Sequence, residues 1–244
     1  MKTIDFKKAW IALLFVPICL SSCSEDILPG ISGYGDVVSQ SFMLDDFTGF
    51  SNSIAADVYV TQGDEQEVII KGQQNIIDNI LMDHVDNGFW RIKNDKMVRN
   101  AKQVKIYITL PTLDKVIVAG SGKIVGETSF TDLNDLELRI SGSGSIQLDF
   151  MCNKLESVIT GSGNFDLSGE TKTMDGAISG SGSFRGYDLE IERAEFSITG
   201  SGDGQLSVAE HLRATISGSG SVYYRGTPEM DIHISGSGNV KRDR

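Results

Sequence analysis

The feature of this sequence that most restricts its fold is a tripeptide, Gly-Ser-Gly, that recurs seven times at nearly constant spacing. The copies occupy residues 120–122, 142–144, 161–163, 180–182, 200–202, 218–220 and 236–238, so that successive copies lie 22, 19, 19, 20, 18 and 18 residues apart. A flexible glycine-serine linker would keep no such period. A repeat of this length is typical of solenoids, whose units bury their apolar side chains by stacking on one another.

The residues on both sides of each tripeptide alternate between apolar and polar. Two residues before the first glycine there is always a β-branched side chain: Val118, Ile140, Ile159, Ile178, Ile198, Ile216 and Ile234. Other even offsets are mostly apolar, whereas odd offsets carry polar residues such as Arg139 and Glu156. A period of two is typical of β-strands, so we expect the even positions to point inward and the odd positions to face solvent.

Short strands that repeat in one direction and stack on copies of themselves form parallel sheets, with right-handed connections. We therefore predict an all-β fold, a right-handed single-stranded parallel β-helix with an irregular N-terminal cap. A β-propeller is less favoured because its blades need about 40 residues, twice the observed period. The tripeptide lies between two strands, so we expect it at a corner of each coil, where glycine tolerates backbone angles and close contacts that a Cβ would prevent.

Residues 34–112 lack the tripeptide but keep the alternation. Strands are predicted at 36–44, 54–61, 67–71, 88–93 and 104–110, and residues 75–84 carry a helical pattern. The segment around Ala55 and Ala56 is interpreted as an irregular coil with alanines at its corner. We thus predict one continuous domain at 34–244, with irregular coils and a cap at 34–112 and Gly-Ser-Gly coils at 113–244.

The first 22 residues are predicted to be a lipoprotein signal peptide. A basic start with Lys2, Lys7 and Lys8 precedes an apolar run at residues 9–20, which is too short to span a bilayer. The run ends in Leu20-Ser21-Ser22-Cys23, which resembles a bacterial lipobox. We predict Cys23 as the lipidated N-terminus of the mature chain, followed by a tether at residues 23–33; the alternative is a plain signal peptide with an incidental cysteine.

The residues directly after Cys23 bear on localisation. Ser24-Glu25-Asp26 resembles an export tag that sends some lipoproteins to the outside of the outer membrane, although the start of a solvated linker would look similar. We expect a lipid-anchored outer-membrane protein at the cell surface, with the periplasmic face as the second choice. The lipid would hold the acidic body at the membrane without help from its net charge.

Composition excludes several classes of function. Thirty-three acidic and 22 basic residues give a formal net charge of −11, which disfavours binding to nucleic acid. The three cysteines fit neither a disulfide framework nor a zinc site. The motif serines have no histidine at a repeating offset, so no hydrolase triad is supported. We expect no catalytic residues, cofactor or resident metal.

Two surface features could nevertheless carry function. Four outward carboxylates are predicted to stack on adjacent coils: Glu137, Glu156, Asp175 and Glu195. They form either a cation site or, in the favoured interpretation, a solvated acidic face. The seven motif serines would also align, either as a corner ladder of mutually hydrogen-bonded small residues or as a flat strip that docks a partner, including a second copy in a homo-oligomer.

Three sequence elements together resemble the head GIN domain family of auto-transporter adhesins. They are Asp57-Val58-Tyr59-Val60-Thr61-Gln62-Gly63, Leu110-Pro111-Thr112-Leu113 and the iterated Ile-Ser-Gly-Ser-Gly-Ser-Ile, which follow the acylated N-terminus in this order. The resemblance covers roughly residues 47–240. It implies a pectin-lyase-like β-helix on a bacterial lipoprotein, without recognised catalytic residues and with a role in adhesion.

Two functions from different classes remain open on the sequence. The first is a non-catalytic binding module that presents its β-helix faces to a glycan or a protein. The second is a polysaccharide-lyase-like enzyme, which would need acidic ligands for calcium and a basic proton acceptor. Outward aromatic residues in a groove would favour glycan binding, and Tyr187, Tyr223 and Tyr224 are the candidates. The negative net charge argues against a polyanionic substrate.

Overall fold

The structure is a computed structural model that describes residues 30–243. The predicted signal peptide at 1–22, Cys23 and the first part of the tether lie outside the described residues. Every fully buried apolar side chain of the core lies between Phe47 and Val222. A chain that begins at residue 24 therefore keeps all the packing described below.

The described chain contains eighteen strands and one short helix, numbered in chain order. The strands before the regular coils are β1 Ile31–Ser32, β2 Val37–Phe42, β3 Gly49–Asn52, β4 Ala56–Gln62, β5 Glu67–Gln73, β6 Val85–Asp86, β7 Phe89–Ile92, β8 Val98–Asn100, β9 Val104–Leu110 and β10 Lys115–Gly120. The remaining strands are β11 Lys123–Gly142, β12 Ser145–Gly161, β13 Asn164–Gly180, β14 Ser183–Gly200, β15 Asp203–Gly218, β16 Ser221–Arg225, β17 Glu229–Gly236 and β18 Asn239–Arg242. Helix α1 is Gln74–Ile77.

The regular coils stack in parallel from β10 to β18. Each coil pairs with the next in a register that matches one tripeptide with another, as in Gly142 with Gly161 and Gly161 with Gly180. The result is a β-solenoid of about seven turns. The prediction of an all-β parallel β-helix is confirmed.

The β-branched column before the tripeptide points inward. Val118, Ile140, Ile159, Ile178, Ile198 and Ile216 are all at most 2% exposed. Ile234 occupies the same column but is 43% exposed, because no further coil covers it within residues 30–243. The predicted strand register is therefore confirmed, and burial weakens only in the last coil.

The first glycine of the tripeptide is required by the stacking of the corners. All seven first glycines have φ between +117° and +132°. In the six that follow a Gly-Ser-Gly coil, a Cβ would lie 2.3 to 2.6 Å from the carbonyl oxygen of the first glycine one coil earlier. That same carbonyl accepts a hydrogen bond of 2.8 to 2.9 Å from the backbone N–H of the next coil's motif serine. A side chain at this position would displace the bond that joins the corners.

The core compensates for differences in side-chain size between coils. Phe184 packs edge-on against Phe165 and Phe196, with ring centroids 6.0 and 5.4 Å apart. A Cβ on either Gly176 or Gly204 would come within 2.4 Å of the Phe196 ring. The glycine at 204, which interrupts an otherwise apolar column, therefore makes room for Phe196.

The N-terminal coils do not stack in chain order. The coil of β3 and β4 lies between the coil of β7 and β9 on one side and that of β10 and β11 on the other, all in parallel register. After β9 the chain must therefore step past an earlier coil before it continues. Residues 111–114 make this step, and the backbone N–H of Asp114 donates to the carbonyl of Thr48 at 2.9 Å. The sequence pattern did not predict this exchange of order.

The corner between β3 and β4 lacks the tripeptide, as predicted, and a side chain takes its place. Asn52 is fully buried; its amide donates to the carbonyl of Ala56 at 2.9 Å and accepts from the N–H of Ile54 at 3.2 Å. These two bonds satisfy the carbonyl of Ala56 and the N–H of Ile54. In a Gly-Ser-Gly corner, backbone groups pair with the corner of the neighbouring coil instead.

The helix predicted at 75–84 is wrong in extent, because α1 ends at Ile77. The side chain of Asn79 bonds the backbone N–H and carbonyl of Lys96 at 2.9 and 2.8 Å, and Ile80 forms an antiparallel bridge with Asn94. Ile76, Ile77 and Ile80 are all buried against the end coil. The apolar spacing thus arises from one helical turn followed by a β-bridge.

Antiparallel strands β5 and β2 continue the sheet beyond β9.

We predict that Gly180→Ala destabilises the solenoid, whereas Ser181→Ala does not. The alanine would hold an unfavourable φ of +128° with its Cβ 2.3 Å from the carbonyl of Gly161. We expect a loss of about 3 kcal/mol, which corresponds to a fall of about 10 °C in Tm. Ser181 is exposed, and its backbone bond to Gly161 does not need the hydroxyl. Thermal melts that show equal stability for both variants would contradict this account of the corner.

Candidate functional site

A groove of about 700 Å³ lies on the side of each coil away from the tripeptide corner. It is lined by residues from six successive coils, at 131–134, 151–153, 170–172, 190–192, 207–209 and 226. With about 4.8 Å between coils, it runs for roughly 24 Å along the solenoid axis. An elongated, mixed polar and apolar concavity of this size is the default candidate for a binding site.

A buried column sits along the middle of this groove. Five residues in continuous parallel register make it up: Leu133, Cys152, Thr171, Ile191 and Val208. Each is at most 8% exposed. The residues just before and just after them in each coil point outward and form the two walls. The groove is therefore built on the sheet itself, which gives it a rigid base.

The walls of the groove are polar and acidic. Asp132, Glu170, Glu190 and Glu192 contribute carboxylates, and Lys172 is the one basic residue among those that line the groove. Asn153 donates an amide hydrogen bond to Asn134 of the preceding coil at 3.1 Å. The excess of carboxylates disfavours a polyanionic ligand, while the amides and hydroxyls suit a ligand rich in hydroxyl groups.

The thiol of Cys152 is structural. Burial is the main cause that raises the pKa of this thiol, and it outweighs the opposite effect of its contact with Thr171. The thiol donates to the Thr171 hydroxyl at 3.3 Å, and that hydroxyl donates to the carbonyl of Thr173 at 3.1 Å. A thiol held in its neutral form is a poor nucleophile.

The four predicted outward carboxylates do align, since Glu137, Glu156, Asp175 and Glu195 follow one another in register. Cationic side chains lie between them, however. Lys115 contacts Glu137 at 2.8 Å, Arg139 contacts both Glu137 and Glu156, and Arg213 lies 3.7 Å from Glu195. Within residues 30–243, no group of three or more acidic, histidine or cysteine side chains is placed to hold a metal ion. Three of the four carboxylates thus take part in surface ion pairs, whereas Asp175 has none within residues 30–243.

Partial burial by itself raises the pKa of Glu137, but the hydrogen bonds from Lys115 and Arg139 outweigh it. The net effect holds the pKa of the Glu137 carboxyl below its ordinary value of 4.5. The ionised form is therefore favoured in the folded state, which links this network to stability at acid pH.

The motif serines align at the opposite corner and are all exposed. Their backbone N–H groups join successive coils, but across the described residues none of the seven hydroxyls has a hydrogen-bond partner. The expected ladder of mutually bonded hydroxyls is therefore absent from this part of the chain. The corner is held by its backbone, and the hydroxyls form an exposed polar strip.

The tyrosines considered for glycan stacking do not line the groove. The guanidinium of Arg225 lies 3.9 Å from the ring centroid of Tyr187 and covers that ring. Burial, together with a hydrogen bond to Asp243, raises the pKa of Tyr187 to about 12. Tyr223 and Tyr224 are half-buried on β16. His84 lies 3.9 Å from Asp83 and His233 lies 3.3 Å from Asp231. No histidine in the described chain forms a hydrogen bond with a serine hydroxyl.

A comparison with protein families agrees with this architecture. The profile of the family described as "Putative auto-transporter adhesin, head GIN domain" matches residues 46–228. The chain belongs to this family. The resemblance seen in the sequence is thus confirmed. No similar sequence is found among curated proteins.

Solved structures with the same fold come from Bacteroides and Parabacteroides species. A "putative adhesin" from Bacteroides fragilis NCTC 9343 is 27% identical with a TM-score of 0.81, over 88% of this chain and 100% of that one. A "putative adhesin" from Parabacteroides merdae is 20% identical with a TM-score of 0.72, over 88% and 99%. A "putative lipid binding protein" from Parabacteroides distasonis is 22% identical with a TM-score of 0.75, over 88% and 100%.

Membership of an adhesin family indicates a cell-surface protein. None of the helices in residues 30–243 could cross a bilayer.

Sequence reasoning missed the groove. Its walls lie where the alternation breaks, at register shifts such as the one between Phe130 and Leu133. The uneven spacing of the tripeptides is the available signal. In the longest coil the extra residues lie between Val125 and Ser129, just before the groove. Changes in coil length are thus absorbed on the groove side, while the corner stays constant.

We predict that Glu137→Gln lowers stability at neutral pH but not in acid. An ion-pair network at the surface contributes about 0.5–1 kcal/mol, so Tm should fall by about 2–3 °C at pH 7. Because the folded-state pKa is depressed, this contribution is complete above pH 4.5 and disappears as the pH falls through the folded value. Asp175→Asn, in the same column, is the matched control. Melts from pH 7 to pH 2 in which the difference persists in acid would refute the assignment.

Proposed function

We propose that this protein is a non-catalytic, lipid-anchored binding module of the cell envelope that holds an extended, uncharged glycan chain along the groove. The groove across six coils is the observation that carries the proposal. A polysaccharide laid along the axis would meet a new pair of wall side chains about every 4.8 Å, because the coils repeat in register. Membership of an adhesin family supports the same role.

The charge of the groove decides among ligand classes. Four carboxylates and one lysine line it, so an acidic glycan would be repelled. Asn134, Asn153 and Thr131 offer hydrogen-bonding groups suited to sugar hydroxyls. A protein segment is the other ligand class consistent with a groove of this shape, but the six-coil repeat favours a polymer with a regular repeat.

The lyase-like alternative has no observation in its favour. A lyase needs a basic residue that removes a proton from the acidic sugar. This residue must lie among groups that attract the sugar's carboxylate. Lys172 lies near Glu170 of its own coil and Glu190 and Glu192 of the next coil, and these carboxylates would repel that substrate. We therefore propose binding without chemistry.

Attachment through Cys23 and exposure at the cell surface complete the proposal. Gly30, the first described residue, lies beside the N-terminal coils, while the groove runs along coils 131–226, farther from the anchor. An anchor at Cys23 would thus leave the groove accessible. Ser24-Glu25-Asp26 supports the cell surface over the periplasmic face.

The binding claim is tested by screening the chain 24–244 against a glycan array that contains neutral and acidic polysaccharides. We expect binding to a neutral glycan. Asn153→Arg, which fills the groove from an exposed position, should weaken that binding at least tenfold. Ser162→Arg places the same side chain on the opposite corner and should leave it unchanged. Binding to acidic glycans alone, or no binding at all, would count against the proposal.

The anchor is tested separately by labelling cells with a radioactive fatty acid. The wild-type protein should take up the label, and Cys23→Ala should not. Protease added to intact cells should degrade the wild-type protein if it is at the surface. Label that persists in Cys23→Ala would refute lipidation at this residue, and protection from protease would favour the periplasmic face.

A further inference from the structure

A strongly basic segment lies at the N-terminal end of this acidic protein. Residues 91–105 contain six basic side chains and one acidic one, a net charge of +5, in a chain whose total is −11. The segment joins β7 to β9 and forms the corner of the end coil. Its basic residues are Arg91, Lys93, Lys96, Arg99, Lys102 and Lys105.

Two further lysines extend this basic surface across the adjacent sheet. Lys71 of β5 is in register with Lys105 of β9, which is in register with Asp57 of β4 and then Lys123 of β11. Asp57, Lys105 and Lys123 lie at the start of their parallel strands, and Lys71 lies near the end of the antiparallel strand β5. Within the described chain, Lys71, Lys93, Lys96, Lys105 and Lys123 form no ion pair. Their charge is therefore available to a partner. Arg91 and Lys102 of the segment instead pair with Asp86 and Asp36 at 3.8 and 3.9 Å. Asp57 and Asp95 are the further carboxylates at this surface.

Aromatic and apolar side chains accompany the lysines. Tyr59 and Tyr107 stack on the same outward face, with centroids 5.1 Å apart and planes inclined by 16°. The ammonium of Lys71 lies 4.4 Å from the Tyr107 ring centroid, and that of Lys105 lies 5.9 Å from the Tyr59 centroid. Met97, in the basic segment, is 54% exposed, and Tyr34, whose backbone N–H donates to the Asn75 side chain, is 73% exposed.

The chain enters the fold against this same surface. The backbone N–H of Ile31 donates to the carbonyl of Met97 at 2.8 Å, and that of Gly33 donates to Asn100 at 2.6 Å. Gly30 follows Cys23 by seven positions, a reach of at most about 25 Å when fully extended. A lipid on Cys23 would therefore hold the basic surface close to the bilayer.

We infer that this basic end, formed by residues 91–105 with Lys71, Lys123, Tyr59 and Tyr107, docks on a membrane surface through anionic lipid headgroups. Lysines with exposed apolar side chains and tyrosines are the composition that favours a bilayer interface. The tyrosine faces are occupied by each other and by lysine ammonium groups, so they are not free to stack on a sugar.

Docking at this end gives the rod an orientation. Surface charge acts only within about 8–10 Å at physiological salt, so the bilayer attracts the basic end and hardly affects the distant acidic coils. The groove then points away from the membrane. The inference rests on the proposed anchor only for proximity to the bilayer, and not on the identity of the glycan.

The test measures binding of the unacylated chain 24–244 to vesicles by flotation. Vesicles of phosphatidylethanolamine with phosphatidylglycerol should bind the chain at about 0.05 M salt, and binding should be lost at about 0.5 M salt. Vesicles of phosphatidylcholine alone should bind at least tenfold less. The assay needs neither the acyl group nor the glycan, so it can succeed or fail independently of the proposed function.

Matched charge reversals locate the surface. Lys93→Glu with Lys96→Glu and Lys123→Glu should weaken binding to anionic vesicles about a hundredfold. Lys154→Glu with Arg185→Glu and Lys241→Glu makes the same change in net charge at exposed sites on other coils and should change binding less than threefold. All six positions are exposed, so both variants should keep the wild-type Tm. Equal losses in the two variants, equal binding to neutral vesicles, or binding to a soluble acidic polysaccharide in preference to vesicles would overturn the inference.

Discussion

The hydrogen bond between the corners of successive coils is the interaction on which this structure depends. The motif serine donates its backbone N–H to the first glycine of the preceding coil, as from Ser181 to Gly161 at 2.9 Å. Because that carbonyl lies directly against the first glycine of the next coil, a Cβ there would break the contact. The corner therefore fixes the register of both flanking strands. Inward and outward positions follow from it along the whole coil.

The side of the coil opposite the corner is free of this constraint. Extra residues enter there without disturbing the stack, as at Gly126–Thr128 and near Tyr187, where the register shifts and then recovers. Side chains there also vary, from Met151 to Glu170, Glu190 and Ser207 at one position. A rigid base with variable walls is the arrangement from which binding sites are built. This physical difference explains why the groove, and not the serine strip, is the candidate site.

The alternation of residues predicted the core well because burial imposes it directly. Ile178 and its column could be placed inward, and Glu156 outward, without knowledge of the neighbours. The order of the first coils could not be predicted, because the pairing of β3 with β7 and β10 produces no periodic pattern in the sequence. The excessive length of the helix predicted at 75–84 has the same origin. Ile80 is buried by a bridge to Asn94, a partner that the local pattern cannot reveal.

Net charge is a poor guide to this surface because the charges are segregated. The basic side chains of residues 91–105 lie at one end, and the carboxylates of the groove lie on coils several spacings away. The net charge of the whole chain reveals neither the basic end nor the acidic groove. Lys71, Lys105 and Lys123 are up to 52 positions apart in sequence but adjacent across three strand pairings, so only the fold reveals them as one surface. On this proposal the acidic coils assist docking, because an anionic bilayer would repel any orientation that brings the groove toward it.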